Sequence, residues 1–377
     1  MEVSHVIWIF LNSFGNSQLV KNRMFFKGKE LIVWSYNDYL GLTSDEKVIE
    51  VEVEAVKKYG ISYPTGSRVL AGNTEFHEKL EYELSLLTGK SCMILNLGYV
   101  GIVSIIQSVV DRHDIIIYDQ EVHACLLDGI TLHKGDRYSF KHNDKEHFEN
   151  QLKKSIKLRK KNSEIIVIVD GVYSMRGDTS ILREIADLKK IYDFTLLVDD
   201  SHGFLVFNGI GTPSLLNVMD SVDIYISTFG KALGTLGGFV SADKEFINFF
   251  KYNLRSQIYA RSLSVVNILS VLYKLDLLKN DNTRRDTLWK NTNLLQNGLK
   301  DIGLNIKETS SPITPIYIEG VINAKKMVNY LREVKNIFCS GVVYPIVPKD
   351  TILLRLIVTA LHTNEDIEMT LKAFSEL

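Results

Sequence analysis

Five short runs between residues 91 and 229 are apolar almost without interruption: S-C-M-I-L-N-L-G (91–98), D-I-I-I-Y-D (114–119), E-I-I-V-I-V-D (164–170), F-T-L-L-V-D-D (194–200) and S-V-D-I-Y-I-S-T-F (221–229). A strand with one wet face alternates apolar and polar residues. These do not, so both faces of the sheet they build must be covered, which implies mostly parallel strands with helices on either side. Helical patterns lie before and between the runs: 75–88, with Phe76, Leu80, Leu84 and Leu87 at helical spacing, and 181–192. The expectation is an α/β wound domain. Several runs end in a polar residue followed by Gly, Ser or His, and in open α/β sheets ligands bind at those carboxyl ends.

After about residue 262 the pattern changes to a long helical region (263–301), a strand-like S-P-I-T-P-I-Y-I-E (311–319), a helix near 323–335 and T-I-L-L-R-L-I-V-T-A (351–360). The expected organisation is an N-terminal segment (1–45), a large domain (46–265) and a smaller α+β domain (266–377), with no repeat and no low-complexity linker. With 44 Lys+Arg against 45 Asp+Glu in 377 residues, nothing compositional points to nucleic acid. Cys92, Cys125 and Cys339 have no metal-ligand spacing and cannot build a disulfide framework, which favours a reducing compartment such as the cytoplasm. The apolar M-E-V-S-H-V-I-W-I-F-L-N-S-F start lacks a basic region and a small-residue cleavage site. It reads as an uncleaved helix that packs on a partner subunit, membrane contact being the other use.

The chemistry concentrates around S-T-F-G-K-A-L-G-T-L-G-G (227–238), where Lys231 follows a strand among glycines and hydroxyls. A phosphate-binding P-loop would need G-x-x-x-x-G-K-[ST]. Here Ala232 follows the lysine and Tyr225 stands where the first glycine belongs. A lysine so placed can instead join the aldehyde of pyridoxal 5'-phosphate (PLP) as a Schiff base, with Thr228 and Ser227 offering hydroxyls to the phosphate. In V-D-D-S-H-G (198–203), Asp199 and His202 end a buried strand. Such an acid either caps local structure or faces a cationic heterocycle such as a protonated pyridine nitrogen. L-N-L-G-Y-V-G (95–101) leads from a strand into a helix, whose free N–H groups suit an anion; close helix–sheet packing explains its glycines equally well. His123, in E-V-H-A-C (121–125), is either structural or able to stack on a cofactor ring.

The ordered set G-S-R (66–68) with His77, G-Y (98–99), H-A (123–124), H-N-D (142–144), D-G-V-Y-S-M-R-G-D (170–178), V-D-D-S-H-G (198–203) and T-F-G-K-A-L-G (228–234) resembles the α-oxoamine synthases. The resemblance runs from N-D-Y-L-G-L (37–42) to H-T-N-E-D-I (362–367). It implies PLP fold type I, aspartate aminotransferase-like, and a homodimer with active sites at the subunit interface. By residue it implies Lys231 as the Schiff-base lysine, Asp199 as partner of the pyridine nitrogen, His202 on the phenolic oxygen and His123 stacked on the ring. Gly98, Tyr99 and Thr228 would surround the phosphate, Ser174 would lie close to the cofactor, Arg355 would bind the substrate carboxylate, and Asn37 would face the substrate.

The implied reaction is decarboxylative condensation of a small amino acid with an acyl thioester to give an α-amino ketone. D-G-V-Y-S-M and G-V-V-Y-P-I-V-P (341–348) look most like bacterial serine palmitoyltransferases. That favours serine with a long-chain acyl-CoA; glycine, alanine and an acyl-carrier protein stay open. The family pattern also differs here in three places. Ala260 and Arg261 replace a hydroxyl pair, so Arg261 is a candidate phosphate or carrier contact. Asp170 stands where many relatives have Glu, and Ile346 where many have Thr. Two other readings remain: an aldolase or aminotransferase of the same fold, which would share Lys231 and Asp199, and a non-catalytic partner subunit, which the intact lysine, acid and histidines oppose.

Overall fold

The computed structural model describes residues 19–377; the N-terminal apolar helix expected from the sequence lies outside them. The chain divides into two compact units. The larger holds Glu46–Tyr173 and Thr179–Asn280, and the smaller holds the residues up to Asp45, Ser174–Asp178 and Asp281–Leu377. The smaller unit begins with Leu19–Val20 (β1), Arg23–Phe26 (β2) and Lys29–Val33 (β3), joined as antiparallel neighbours.

In the larger unit seven strands form one sheet: Ser91–Leu95 (β4), Ile115–Asp119 (β5), Asp136–Phe140 (β6), Ile165–Asp170 (β7), Thr195–Asp199 (β8), Ile224–Thr228 (β9) and Gly238–Ala242 (β10). Their order is β4-β10-β9-β8-β7-β5-β6, and β10 runs antiparallel to both its neighbours while the others share one direction. The five apolar runs are β4, β5, β7, β8 and β9. Every residue of β7 is buried, as its I-I-V-I-V-D sequence requires of a strand covered on both faces. Two strands carry weaker signals. D-R-Y-S-F of β6 is an edge strand that needs few apolar residues, and β10 is a short run entered through Gly237 and Gly238.

Helices cover the sheet: Glu46–Tyr59 (α1), Glu75–Thr88 (α2), Gly98–Val109 (α3), Ala124–Thr131 (α4), Lys145–Leu158 (α5), Leu182–Lys189 (α6), Lys244–Asn253 (α7) and Val265–Asn280 (α8). A core cluster joins Ile102, Ile105 and Ile106 of α3 and Leu126 and Ile130 of α4 to Ile168, Leu197 and Ile226 of the central strands. Burying side chains of this size stabilises by roughly 1.5–3 kcal/mol each. Helix α8 begins at the expected domain boundary of 265 yet counts with the larger unit, because it packs along α1 and α2. His77 of α2 pins the strap before α8. It is fully buried, its Nδ1 lies 2.8 Å from Thr74 Oγ1, and its Nε2 lies 3.1 Å from the Leu263 carbonyl.

The helical region expected over 263–301 is broken at 281–282, and its second half, Thr283–Asp301 (α9), belongs to the smaller unit with Val321–Glu333 (α10) and Asn364–Ser375 (α11). The strands of this unit are Ile313–Tyr317 (β11), Ile337–Phe338 (β12), Ser340–Val342 (β13) and Leu353–Ile357 (β14). Strand β14 lies between β11 and β13, antiparallel to both, and β12 extends the β1-β2-β3 sheet in parallel with β3. His362 is this unit's buried histidine. It stacks on Trp34 with centroids 3.7 Å apart, and its Nε2 lies 3.0 Å from the Val33 carbonyl. No helix among the described residues is long and apolar enough to cross a membrane.

Candidate active site

Strands β5, β7 and β8 run parallel side by side, so their terminal acids, Asp119, Asp170 and Asp199, come to one edge of the sheet. All three are buried. Asp119 is fully satisfied: it accepts the Glu121 and Asn143 amides at 2.8 and 3.0 Å, and His142 Nδ1 lies 3.1 Å away. This accounts for the H-N-D segment. Asp170 accepts the backbone N–H of His123 at 2.8 Å, and burial next to Asp199 raises its carboxyl well above the ordinary range.

Asp199 is satisfied on one side only. Its Oδ1 accepts the Ser201 amide at 3.0 Å and the Ser201 hydroxyl at 2.5 Å, whereas among the described residues its Oδ2 has only the Cys125 thiol, 3.8 Å away. Ser201 Oγ in turn accepts the Thr228 N–H at 3.2 Å, and Thr228 Oγ1 accepts from Lys231 Nζ at 3.1 Å. Asp199, Ser201, Thr228 and Lys231 therefore form one hydrogen-bonded chain across the ends of β8 and β9. Lys231 sits in a tight loop closed by Gly234 N–H to the Lys231 carbonyl (3.0 Å) and Thr235 N–H to the Phe229 carbonyl (3.0 Å). It makes no ion pair among the described residues.

The neighbouring residue Asp200 has the opposite arrangement. It accepts the Thr212 N–H at 2.8 Å, the Thr212 hydroxyl at 2.6 Å and the Tyr225 hydroxyl at 3.0 Å. A Cβ added at Gly171, Gly203 or Gly211 would fall 2.0–2.1 Å from its oxygens, so three glycines enclose it. Burial pushes its carboxyl up to about 7 against the pull of those donors.

Helix α3 starts at Gly98 without a side-chain cap, leaving its first N–H groups available to an anion. A Cβ at Gly98 would lie 2.1 Å from Thr228 Cγ2, so glycine lets this helix start abut the Thr228 hydroxyl residue. Tyr99 directs its hydroxyl away to Asp128 at 2.5 Å, which raises its phenol to about 12. His123 caps α4 through Nδ1, and its ring meets that of Tyr99 edge-on at 6.3 Å. His202 is buried in the turn that follows β8. Arg261 donates to the Ser62 carbonyl at 2.6 Å, and its own carbonyl accepts from Asn96 at 2.8 Å, so the exposed guanidinium ties two loops of its own unit.

The remaining site candidates gather in the smaller unit. Arg355, in the middle of β14, is buried rather than at the surface. Its Nε donates to the Ser174 carbonyl at 2.6 Å and its Nη2 lies 3.5 Å from Asn37 Oδ1. It makes no ion pair among the described residues. Burial works against its charge, and the neighbouring Tyr39, itself fully buried, supports it. Sequence reasoning passed over Ser201, Cys125 and Tyr39. All three lie inside quoted motifs, and only the folded chain shows that Ser201 and Cys125 meet Asp199, that Cys125 also meets His123, and that Tyr39 neighbours Arg355.

These residues fit PLP. The uncapped helix start and Thr228 suit a phosphate, Lys231 suits the aldehyde, and Asp199 Oδ2 lacks the strong donor that a pyridinium would supply. Fold and cluster together define a PLP-dependent enzyme of fold type I. The chain belongs to the aminotransferase class I and II family, whose profile matches residues 29–374, and within it to the α-oxoamine synthases. It is 46% identical over 359 residues to the cysteate-C-fatty acyltransferase of Capnocytophaga ochracea, covering 94% of this chain and 86% of that protein. It is 36% identical over 358 residues to the serine palmitoyltransferase of Bacteroides thetaiotaomicron, covering 93% and 89%. Among solved structures it is similar to a serine palmitoyltransferase from S. paucimobilis with bound PLP and myriocin (TM-score 0.91, 26% identity, 100% and 96% covered). The relatives define this chain as a PLP-dependent C-acyltransferase.

Proposed function

We propose that this α-oxoamine synthase condenses cysteate with a long-chain acyl thioester, releasing carbon dioxide and the thiol and leaving an α-amino ketone that bears a sulfonate. The observation that carries the amino acid is the 46% identity to a cysteate-C-fatty acyltransferase, against 33–36% to the serine palmitoyltransferases. The serine favoured from sequence is the second reading, and the likeness to serine palmitoyltransferase structures across the whole chain supports it.

In this reading Arg355 binds the amino acid's carboxylate, with Asn37 beside it. Lys231, Thr228 and the start of α3 would hold the coenzyme; Asp199 Oδ2 would keep its ring nitrogen protonated, His202 would hydrogen-bond its phenolic oxygen, and His123 would stack on its ring. PLP, when bound, supplies an electron sink for the bonds at the amino acid's Cα. Lys231 Nζ takes the Cα proton, and that carbon forms its new bond to the acyl carbonyl as the C–S bond breaks and the thiolate leaves; the Cα–carboxylate bond then breaks to release carbon dioxide, and a proton returns to Cα. Ser174 positions Arg355 through its carbonyl.

A homodimer is part of this reading. It is supported by Ile49, Val53 and Val56, exposed on one face of α1 beside exposed Ile61 and Leu236, where they line a groove of 590 Å³. Light scattering at catalytic concentration tests it.

The deciding experiment offers cysteate, serine, glycine and alanine in turn with palmitoyl-CoA and a palmitoyl carrier protein, reading thiol release and product mass. Cysteate should give the highest kcat/KM. A preference for serine would move the assignment to the second reading, and transamination without thiol release would reject both.

A further inference from the structure

One buried side chain touches both His123 and Asp199 and has no part in the reaction as derived: Cys125, in the first turn of α4 and 2% exposed. Its backbone N–H donates to His123 Nδ1 at 3.2 Å, its Sγ lies 2.9 Å from the same nitrogen, and its Sγ lies 3.8 Å from Asp199 Oδ2. An amide N–H can only donate, so Nδ1 is the lone-pair nitrogen and the imidazole proton sits on Nε2. The thiol hydrogen then has two acceptors, Nδ1 and Oδ2, and it is a weak donor to either. A half-buried histidine and a buried carboxylate that meet the same thiol would otherwise share a proton as an ion pair, and Asp199 would neutralise His123 instead of a ring nitrogen.

We propose that Cys125 is a positioning residue whose thiol separates His123 from Asp199, holding the imidazole neutral with its proton on Nε2 and keeping Asp199 Oδ2 for the coenzyme. The proposal rests on the placement of His123 and Asp199 against the coenzyme ring. The groups that face the imidazole are Asp199, Lys231, Asp170 through the His123 amide, Tyr99 edge-on and Cys125 itself. Burial and Lys231 act against a proton on the ring, and Asp199 acts for one.

The test compares Cys125→Ser, which keeps a donor, with Cys125→Ala, which removes it and admits water between the two groups. Long-range proton–nitrogen NMR of the coenzyme-free full chain reads the tautomer and midpoint of His123, assigned among nine histidines with His123→Gln. Absorbance against pH reads the PLP-loaded protein. Cys125→Ala should raise the His123 midpoint by about one unit, a tenfold gain in proton affinity, and shift the absorbance profile. Cys125→Ser should restore the parent behaviour in both. A parent-like midpoint and tautomer in Cys125→Ala overturns the proposal. A moved midpoint with an unmoved absorbance profile supports the role of Cys125 toward His123 and instead rejects the placement of His123 and Asp199 at the ring.

Discussion

The acid at the end of β8 and the guanidinium in the middle of β14 are buried charges of opposite sign, one in each unit, and they are compensated in the same incomplete way. Asp199 has two good donors on one oxygen and a thiol at 3.8 Å on the other. Arg355 has a carbonyl on Nε and an amide oxygen at 3.5 Å on Nη2, both neutral. Other buried acids are better compensated: Asp200 has three donors, and Asp366 has Arg23, Asn22 and the Thr363 amide. Since an uncompensated buried charge is destabilising, a fold retains one where a ligand of the other sign completes it. Asp199 is short of a cation, Arg355 of an anion.

The largest effect should come from Lys231→Ala, which removes the group proposed both to hold the coenzyme and to move the proton. Thiol release should fall on the order of 10⁴-fold, and borohydride reduction with peptide mapping should find the label on Lys231 in the parent and nowhere in the variant. A fall of less than roughly tenfold would mean that the lysine is not the base. Asp199→Asn keeps the shape and the Ser201 contacts but removes the charge. It should lower kcat by roughly 10²–10³-fold with little change in thermal unfolding. A large loss of stability instead would make Asp199 a structural acid like Asp200, and the comparison with Arg355 would fail.

Arg355→Gln should act on binding: KM for the amino acid rises by roughly 10–100-fold, the range of a lost charged hydrogen bond, with a smaller change in kcat. If kcat falls and KM does not, the guanidinium is not the carboxylate anchor.

The smallest effect distinguishes the units by pH. Burial lowers both His77 and His362 to about 4, against an unfolded value near 6.5. Between those values the unfolded chain binds more protons than the folded one. Stability is therefore full above about 6.5 and falls as pH drops toward 4, by up to ~3 kcal/mol for His362. Urea midpoints at pH 7 and pH 5 measure the loss. Trp34 fluorescence reports the smaller unit, since its ring stacks on His362. His362→Gln should flatten that signal while leaving the acid response of the larger unit.

The two regions also differ in how they show in the sequence. Asp199, His202, Thr228 and Lys231 sit at or just after strand ends, so two contiguous segments supply most of the cluster, and a chain pattern exposes it. Arg355 gives no such sign, because β14 is an apolar run with one arginine in it, and Asn37 and Ser174 are brought to it from segments 318 and 181 residues away. Only the resemblance pointed to them. Cys125 and Ser201 escaped notice because a small polar residue near a strand end has many uses, and their direction is a product of packing. Strands β6 and β10 give weaker signals, β6 because an edge strand needs few apolar residues and β10 because Gly, Ser and Ala fill three of its five buried positions. The break between α8 and α9 was missed because helical periodicity continues on both sides of it.

Asp199 closes β8 and Asp200 follows it, their carboxylates have separate partners, and they are not interchangeable. Gly171, Gly203 and Gly211 make a slot that admits a carboxylate and little else. If the chain slid by one position, either Asp199 would enter that slot and leave Val198 in the open place beside the thiol, or Ser201 would enter it and the three donors would lose their carboxylate. The doubled aspartate therefore works as an alignment key: the inert member sets the phase of the strand, and the phase aims the reactive one.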